Sequence, residues 1–95
     1  MGNWVELISK NVTIVNELGM HARSAGKIAA IVKNARSNVW IIKEGERADA
    51  ASVIDILTLA CAKGSKITIN IEDPADLNIL NAIAKLIEQG FGEQV

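Results

Sequence analysis

Along residues 11–16, NVTIVN, the side chains alternate, with Val12 and Ile14 on one side and Thr13 and Val15 on the other. That is the period of a strand, predicted to begin near Leu7. Gly19 interrupts it, and the spacing then changes. Ala25, Ile28, Ala29 and Val32 fall at i, i+3, i+4 and i+7, the buried stripe of an amphipathic helix predicted over Ala22–Lys33, with NARSN as its exit. VWII (39–42) is β-branched and aromatic and reads as a second strand. KEGE (43–46) has turn chemistry around Gly45, so RADA (47–50) is predicted to return as a short antiparallel partner.

Ser52, with Asp55 three residues on, has the form of a capping pair at a helix start. Val53, Ile54, Ile56, Leu57, Ala60 and Cys61 follow as a short, unusually apolar helix, closed by Lys63 and Gly64. KITINI (66–71) alternates with its three isoleucines on one face. DPAD (73–76) supplies an N-cap aspartate, a proline at the first helical position and an acid in the first turn. Leu77, Leu80, Ala84 and Ile87 form the last helical stripe, which Gly90 ends. The order is β-α-β-β-α-β-α, and helices covering one face of an antiparallel sheet is the natural packing, an α+β fold. Trp40 sits mid-strand as packing, while Trp4 precedes the first clear element.

Composition narrows the classes. Ninety-five residues make one domain, 1–95. Such a chain buries roughly 60–65% of its unfolded surface, enough for one core but not for a deep enclosed cleft. A net charge of −1 carries none of the basic footprint of a nucleic-acid binder. No apolar run approaches the ~18 residues that would span a bilayer. MGNWVELISK lacks the basic-then-apolar form of a signal peptide, and GNWVE lacks the Ser or Thr of a myristoylation signal. The lone Cys61 cannot form an internal disulfide, which fits a reducing compartment. The expectation is a soluble cytoplasmic protein, with no nucleic acid and no membrane insertion.

Candidate chemistry concentrates in ELGMHARSAG (17–26), which holds the chain's one histidine. A metal site needs three or four ligands, and one His with one Cys 40 residues apart is a poor start. Ser24 and Ser52 lack a nucleophile-elbow context, and no Gly-rich phosphate loop is present. His21 remains. At the mouth of a helix the first backbone N–H groups have no intrahelical partner and carry partial positive charge. That charge opposes imidazolium by ~0.3–1 kcal/mol and leaves a neutral, nucleophilic ring. An anion attached to the ring would then meet free N–H donors and Arg23. This permits a phosphoryl carrier. It equally permits a surface histidine beside a solvated arginine, or a helix end that holds an anion without covalent chemistry.

LGMHARSA (18–25) resembles the active-site motif of the histidine-containing phosphocarrier family HPr of the bacterial phosphotransferase system, G-[LM]-H-[AT]-R-P-A. Gly19, Met20, His21, Ala22, Arg23 and Ala25 match it. ADAASVIDILTLACAKGSKITI (48–69) is similar to the family's second signature, and LIEQGFGE (86–93) to its C-terminal helix ending. The resemblance runs from about Lys10 over essentially the whole chain. It implies an open-faced sandwich: a four-stranded antiparallel sheet of order 1-4-2-3, with three helices on one face. It implies a phosphocarrier, not an enzyme, that takes a phosphoryl group from phospho-enzyme I on Nδ1 of His21, with Arg23 stabilising the phosphate. The group would pass to an enzyme II A-type domain. Val53, Ile54 and Leu57 align with the family's docking patch, beside Met20, Ser24 and Lys27 at the motif. Ser52 aligns with the serine that an HPr kinase/phosphorylase modifies in many members. The resemblance implies a monomer with no cofactor and no metal.

Three departures stand out. Ser24 replaces the usual proline, Ala51 the usual lysine before the regulatory serine, and Asp55 a small or apolar residue. A first-turn serine costs stiffness and not activity, whereas Asp55 puts regulation at Ser52 in doubt. Met20, SVI and AKG look closer to the nitrogen-related NPr branch, so a regulatory phosphorelay stands beside sugar uptake.

Overall fold

The computed structural model describes residues 8–93. Four strands, β1 (Ile8–Thr13), β2 (Val39–Lys43), β3 (Glu46–Asp49) and β4 (Lys66–Ile71), form one antiparallel sheet in the order β1-β4-β2-β3. Three helices, α1 (Ala22–Val32), α2 (Val53–Leu57) and α3 (Leu77–Glu88), complete the open-faced α+β sandwich.

Register explains the single core. Val12 lies opposite Ile67 and Ile8 opposite Ile71, while Ile41 faces both Ile69 and Ala48. Cross-strand partners point the same way, so this row of isoleucines lies on one face. The buried residues of α1 and α3 cover it, chiefly Ala25, Ile28 and Val32 with Leu80, Ile83, Ala84 and Ile87. The opposite rows, Asn11 with Thr68 and Trp40 with Asn70 and Asp49, make the uncovered face. There the Arg47 guanidinium stacks 3.9 Å from the centre of the half-buried Trp40 ring, whose Nε1–H donates to Glu72 at 2.7 Å.

Several sequence boundaries shift. Trp4 and the strand's predicted start near Leu7 lie outside the described residues. β1 ends at Thr13, yet Ile14 still exchanges backbone hydrogen bonds with Ser65 O and Gly64 N–H. α2 stops at Leu57, short of the predicted Cys61. Thr58 Oγ1 turns back on Asp55 O at 2.6 Å, Ala60 takes a positive φ of 51°, and Lys43 Nζ reaches the carbonyls of Leu59 and Ala60. The DPAD segment forms a 3-10 turn at Pro74–Asp76, capped by Asp73 through Ala75 N–H, before α3 begins. Leu77, assigned to the buried stripe, is instead 46% exposed, and Ile83 takes the inner place. Asp76 is fully buried because its carboxylate accepts the Arg36 and Ser37 N–H groups of the loop leaving α1.

Candidate functional site at the start of helix α1

The turn before α1 is a tight one. Gly19 has φ +67°, and a Cβ there would lie 2.6 Å from Cys61 O. Gly19 N–H donates to Asn16 O, and Met20 N–H donates to Cys61 O at 2.8 Å. The segment after α2 therefore serves as the anvil on which the histidine loop is bent. Cys61 is buried in that contact, and burial pushes its thiol up, away from reactivity.

His21 is the N-cap of α1, in extended backbone conformation. Its C=O accepts Ala25 N–H at 2.8 Å, the first intrahelical bond. The N–H groups of Ala22 and Arg23 thus have no acceptor within the helix, while that of Ser24 faces the His21 side chain in a capping-box arrangement. Ser24 Oγ accepts the N–H of His21 itself at 2.8 Å, a serine's answer to the same free donor that proline would leave unmet.

The structure adds two residues that sequence reasoning missed. Glu93 Oε2 lies 2.6 Å from His21 Nε2, with the ring 28% and the carboxylate 16% exposed. Asn16, fully buried, donates from Nδ2 to Glu93 Oε1 at 2.8 Å and to Gly19 O at 2.9 Å. Hydrogen bonds from Asn16 and His21 hold the Glu93 carboxyl below its ordinary range, and the Lys27 charge adds to this. With its value depressed, this contact favours the fold above the ordinary carboxylate range and is lost as pH falls through the lowered value. Lys27 Nζ also donates to Phe91 O at 2.7 Å, and the Phe91 ring is fully buried. The C-terminal turn Gly90–Gly92 is so fastened against α1. Asn16 stands directly before ELGMH and Glu93 closes LIEQGFGE, but no spacing in the sequence ties either to His21.

The other predicted site residues divide. Arg23 is exposed in the first turn and carries no ion pair among the described residues. Met20 and Ser24, expected on the docking surface, are buried instead: Met20 N–H donates to Cys61 O, and Ser24, in the first turn of α1, turns its Oγ to His21 N–H and Met20 Sδ. Lys27 is committed to the C-terminal turn. Of the patch, Val53 and Leu57 are half-buried while Ile54 is 78% exposed, and Leu18, beside the histidine loop, is 73% exposed. Ser52 Oγ accepts Asp55 N–H at 3.2 Å, as the capping pattern requires, but the Asp55 carboxylate turns to Asp49 N–H at 2.6 Å. Among the described residues no three His, Cys, Asp or Glu side chains are grouped to hold a metal ion, and no helix is long and apolar enough to cross a membrane.

A histidine at a helix mouth, its Nε2 engaged and an arginine in the first turn, coincides with a family match. The model of the family described as "PTS HPr component phosphorylation site" covers residues 8–89. The chain belongs to the HPr family. The phosphocarrier protein HPr of Cupriavidus necator is 32% identical over 92% of this chain and 98% of its own. The phosphocarrier protein NPr of Klebsiella oxytoca is 39% identical over 90% of this chain and 97% of its own. Among solved structures, HPr from Thermoanaerobacter tengcongensis superposes with a TM-score of 0.86 at 26% identity, over 93% of this chain and 99% of the other.

Ser24 yields a sign-sensitive test of its role in this HPr-family site. Proline there removes no intrahelical bond and restricts the unfolded chain, a gain of ~0.4–1 kcal/mol. It also deletes the Oγ that satisfies His21 N–H, a loss of about 1–3 kcal/mol for a donor left unpaired. Ser24→Pro is therefore expected to cost a net ~1 kcal/mol and lower Tm by about 4–8 °C. Thermal unfolding checks this; a raised Tm would mean that water serves the His21 N–H equally well.

Proposed function

We propose that this chain accepts a phosphoryl group from phospho-enzyme I on Nδ1 of His21 and delivers it to an enzyme II A-type domain, acting in the cytoplasm. The observation that carries this reading is the Glu93 contact at Nε2. A carboxylate occupying one ring nitrogen leaves the other as the nucleophile, at a helix end rich in free donors. Incubation with enzyme I and phosphoenolpyruvate tests it directly. The chain should acquire phosphate that is stable in base and lost in acid, as a phosphoramidate is.

Arg23 supports the transferred group in this reading. Its exposure suits a side chain that swings onto an arriving dianion, a charge-assisted contact of roughly 1.5–3 kcal/mol. Arg23→Ala is expected to slow transfer about ten- to a hundredfold with little change in Tm. Unchanged kinetics would show that the backbone donors suffice.

A second reading, a nitrogen-related regulatory phosphorelay, is favoured by the 39% identity to an NPr against 32% to an HPr. The chemistry at His21 is the same in both, and the partners differ. The exposed Ile54 would be the centre of docking in either case. Ser52 would be the target of an HPr kinase. Its phosphate would share one turn with the Asp55 carboxylate, a like-charge arrangement that opposes modification.

A further inference from the structure

We infer that Glu93 is a positioning residue that keeps a proton on Nε2 of His21 through both halves of the phosphoryl relay, so that Nδ1 is always the atom that bonds phosphorus. The inference rests on the phosphocarrier reading and adds to it the control of the ring's tautomer.

An ionised carboxylate has lone pairs and no hydrogen to give. Its 2.6 Å approach to Nε2 therefore requires the proton on that nitrogen, and the neutral ring is the Nε2–H tautomer. The carboxylate is held in this orientation from both sides. Asn16 spends its two amide hydrogens on Gly19 O and Glu93 Oε1, so turning Glu93 away would leave one of those hydrogens unpaired in a fully buried residue. Lys27 Nζ on Phe91 O, with the Phe91 ring in the core, fixes the turn that carries Glu93. Lys27, whose charge acts on the Glu93 carboxylate, stands on α1.

The steps balance without a mobile proton at His21. In the first, the Nδ1 lone pair attacks phosphorus; the Nδ1–P bond forms and the donor's bond to phosphorus breaks, its electron pair leaving with the donor. The ring, now holding phosphorus on Nδ1 and hydrogen on Nε2, is formally positive beside the Glu93 carboxylate. In the second, the acceptor's nucleophile attacks phosphorus and the Nδ1–P electrons return to the ring. Imidazole leaves neutral, already in its starting tautomer.

Glu93→Gln separates this role from mere packing. Asn16 would still occupy the amide oxygen, so the amide nitrogen would face Nε2 as a donor and draw the ring's proton to Nδ1. Nitrogen-15 spectra of the neutral ring are expected to show Nε2–H in the natural chain and Nδ1–H in E93Q. Transfer from phospho-enzyme I should fall by about a hundredfold in E93Q, because only the minor Nε2–H tautomer then keeps a lone pair on Nδ1 to attack phosphorus. It should fall less in E93A, where water can serve either tautomer. E93Q that keeps the Nε2–H tautomer, or that transfers at the natural rate, would overturn the role of Glu93. A natural chain that takes no phosphate at all would instead overturn the phosphocarrier reading, a separate outcome from either result on the variant.

Discussion

His21→Ala is expected to abolish acid-labile phosphate uptake completely while leaving the fold in place. The loss should be total because the chain has no second histidine to take over. The fold should survive because the contacts of residue 21 that shape the turn are made by its backbone: N–H to Ser24 Oγ, and C=O from Ala25 N–H. Alanine keeps both. Losing the ring, which is 28% exposed, removes its contact with Glu93 but no backbone hydrogen bond of the turn. Incubating both chains with enzyme I and phosphoenolpyruvate, then splitting each sample between acid and base, measures the effect. Acid-labile labelling of the variant at the natural rate would remove His21 from the mechanism.

Gly19→Ala is expected to be the most damaging single methyl group in the molecule's functional half. Its φ of +67° is a left-handed conformation that costs an L-residue ~1–2 kcal/mol. The new Cβ would also stand 2.6 Å from Cys61 O and 2.9 Å from Ala62 Cα. Both are backbone atoms that cannot rotate aside, and overpacking of this kind costs ~1–3 kcal/mol more. Together these give a loss of roughly 2–5 kcal/mol and a Tm lower by about 10 °C or more. The loop that would have to yield carries Asn16, Met20 and His21, so phosphate uptake should fall as well. Thermal unfolding with a Tm within a few degrees of the natural chain would show that the Cys61–Ala62 segment gives way freely.

What could be read in the sequence was what is local. The alternation of KITINI placed β4, and the change of period after Gly19 placed α1 with His21 at its cap. The end of α2 was hidden because Ala60 and Cys61 suit a helix well enough. What stops it is a lysine on β2 and a positive φ, neither visible in the spacing. Leu77 misled for the opposite reason: it keeps the helical period of its stripe, but in the first turn of α3 it stands 46% exposed. Strand order came from resemblance and not from pattern. His21 and Arg23 were legible because one turn holds both. Glu93 and Asn16 were not, because only tertiary folding brings residue 93 to residues 16 and 21, separations of 77 and 72 along the chain.

Those two separations have a consequence in time. A chain is made from its N-terminus, so His21 exists long before the carboxylate that orients it. The sheet edge beneath α3 waits for Ile8 to meet Ile71, and the histidine waits longer still. Contacts of such span are the slow part of folding, since the intervening loop must be closed before they give anything back. Competence at His21 therefore arrives last, when the tail docks. A half-made or misdocked copy holds a histidine whose ring has not yet been told which nitrogen to offer.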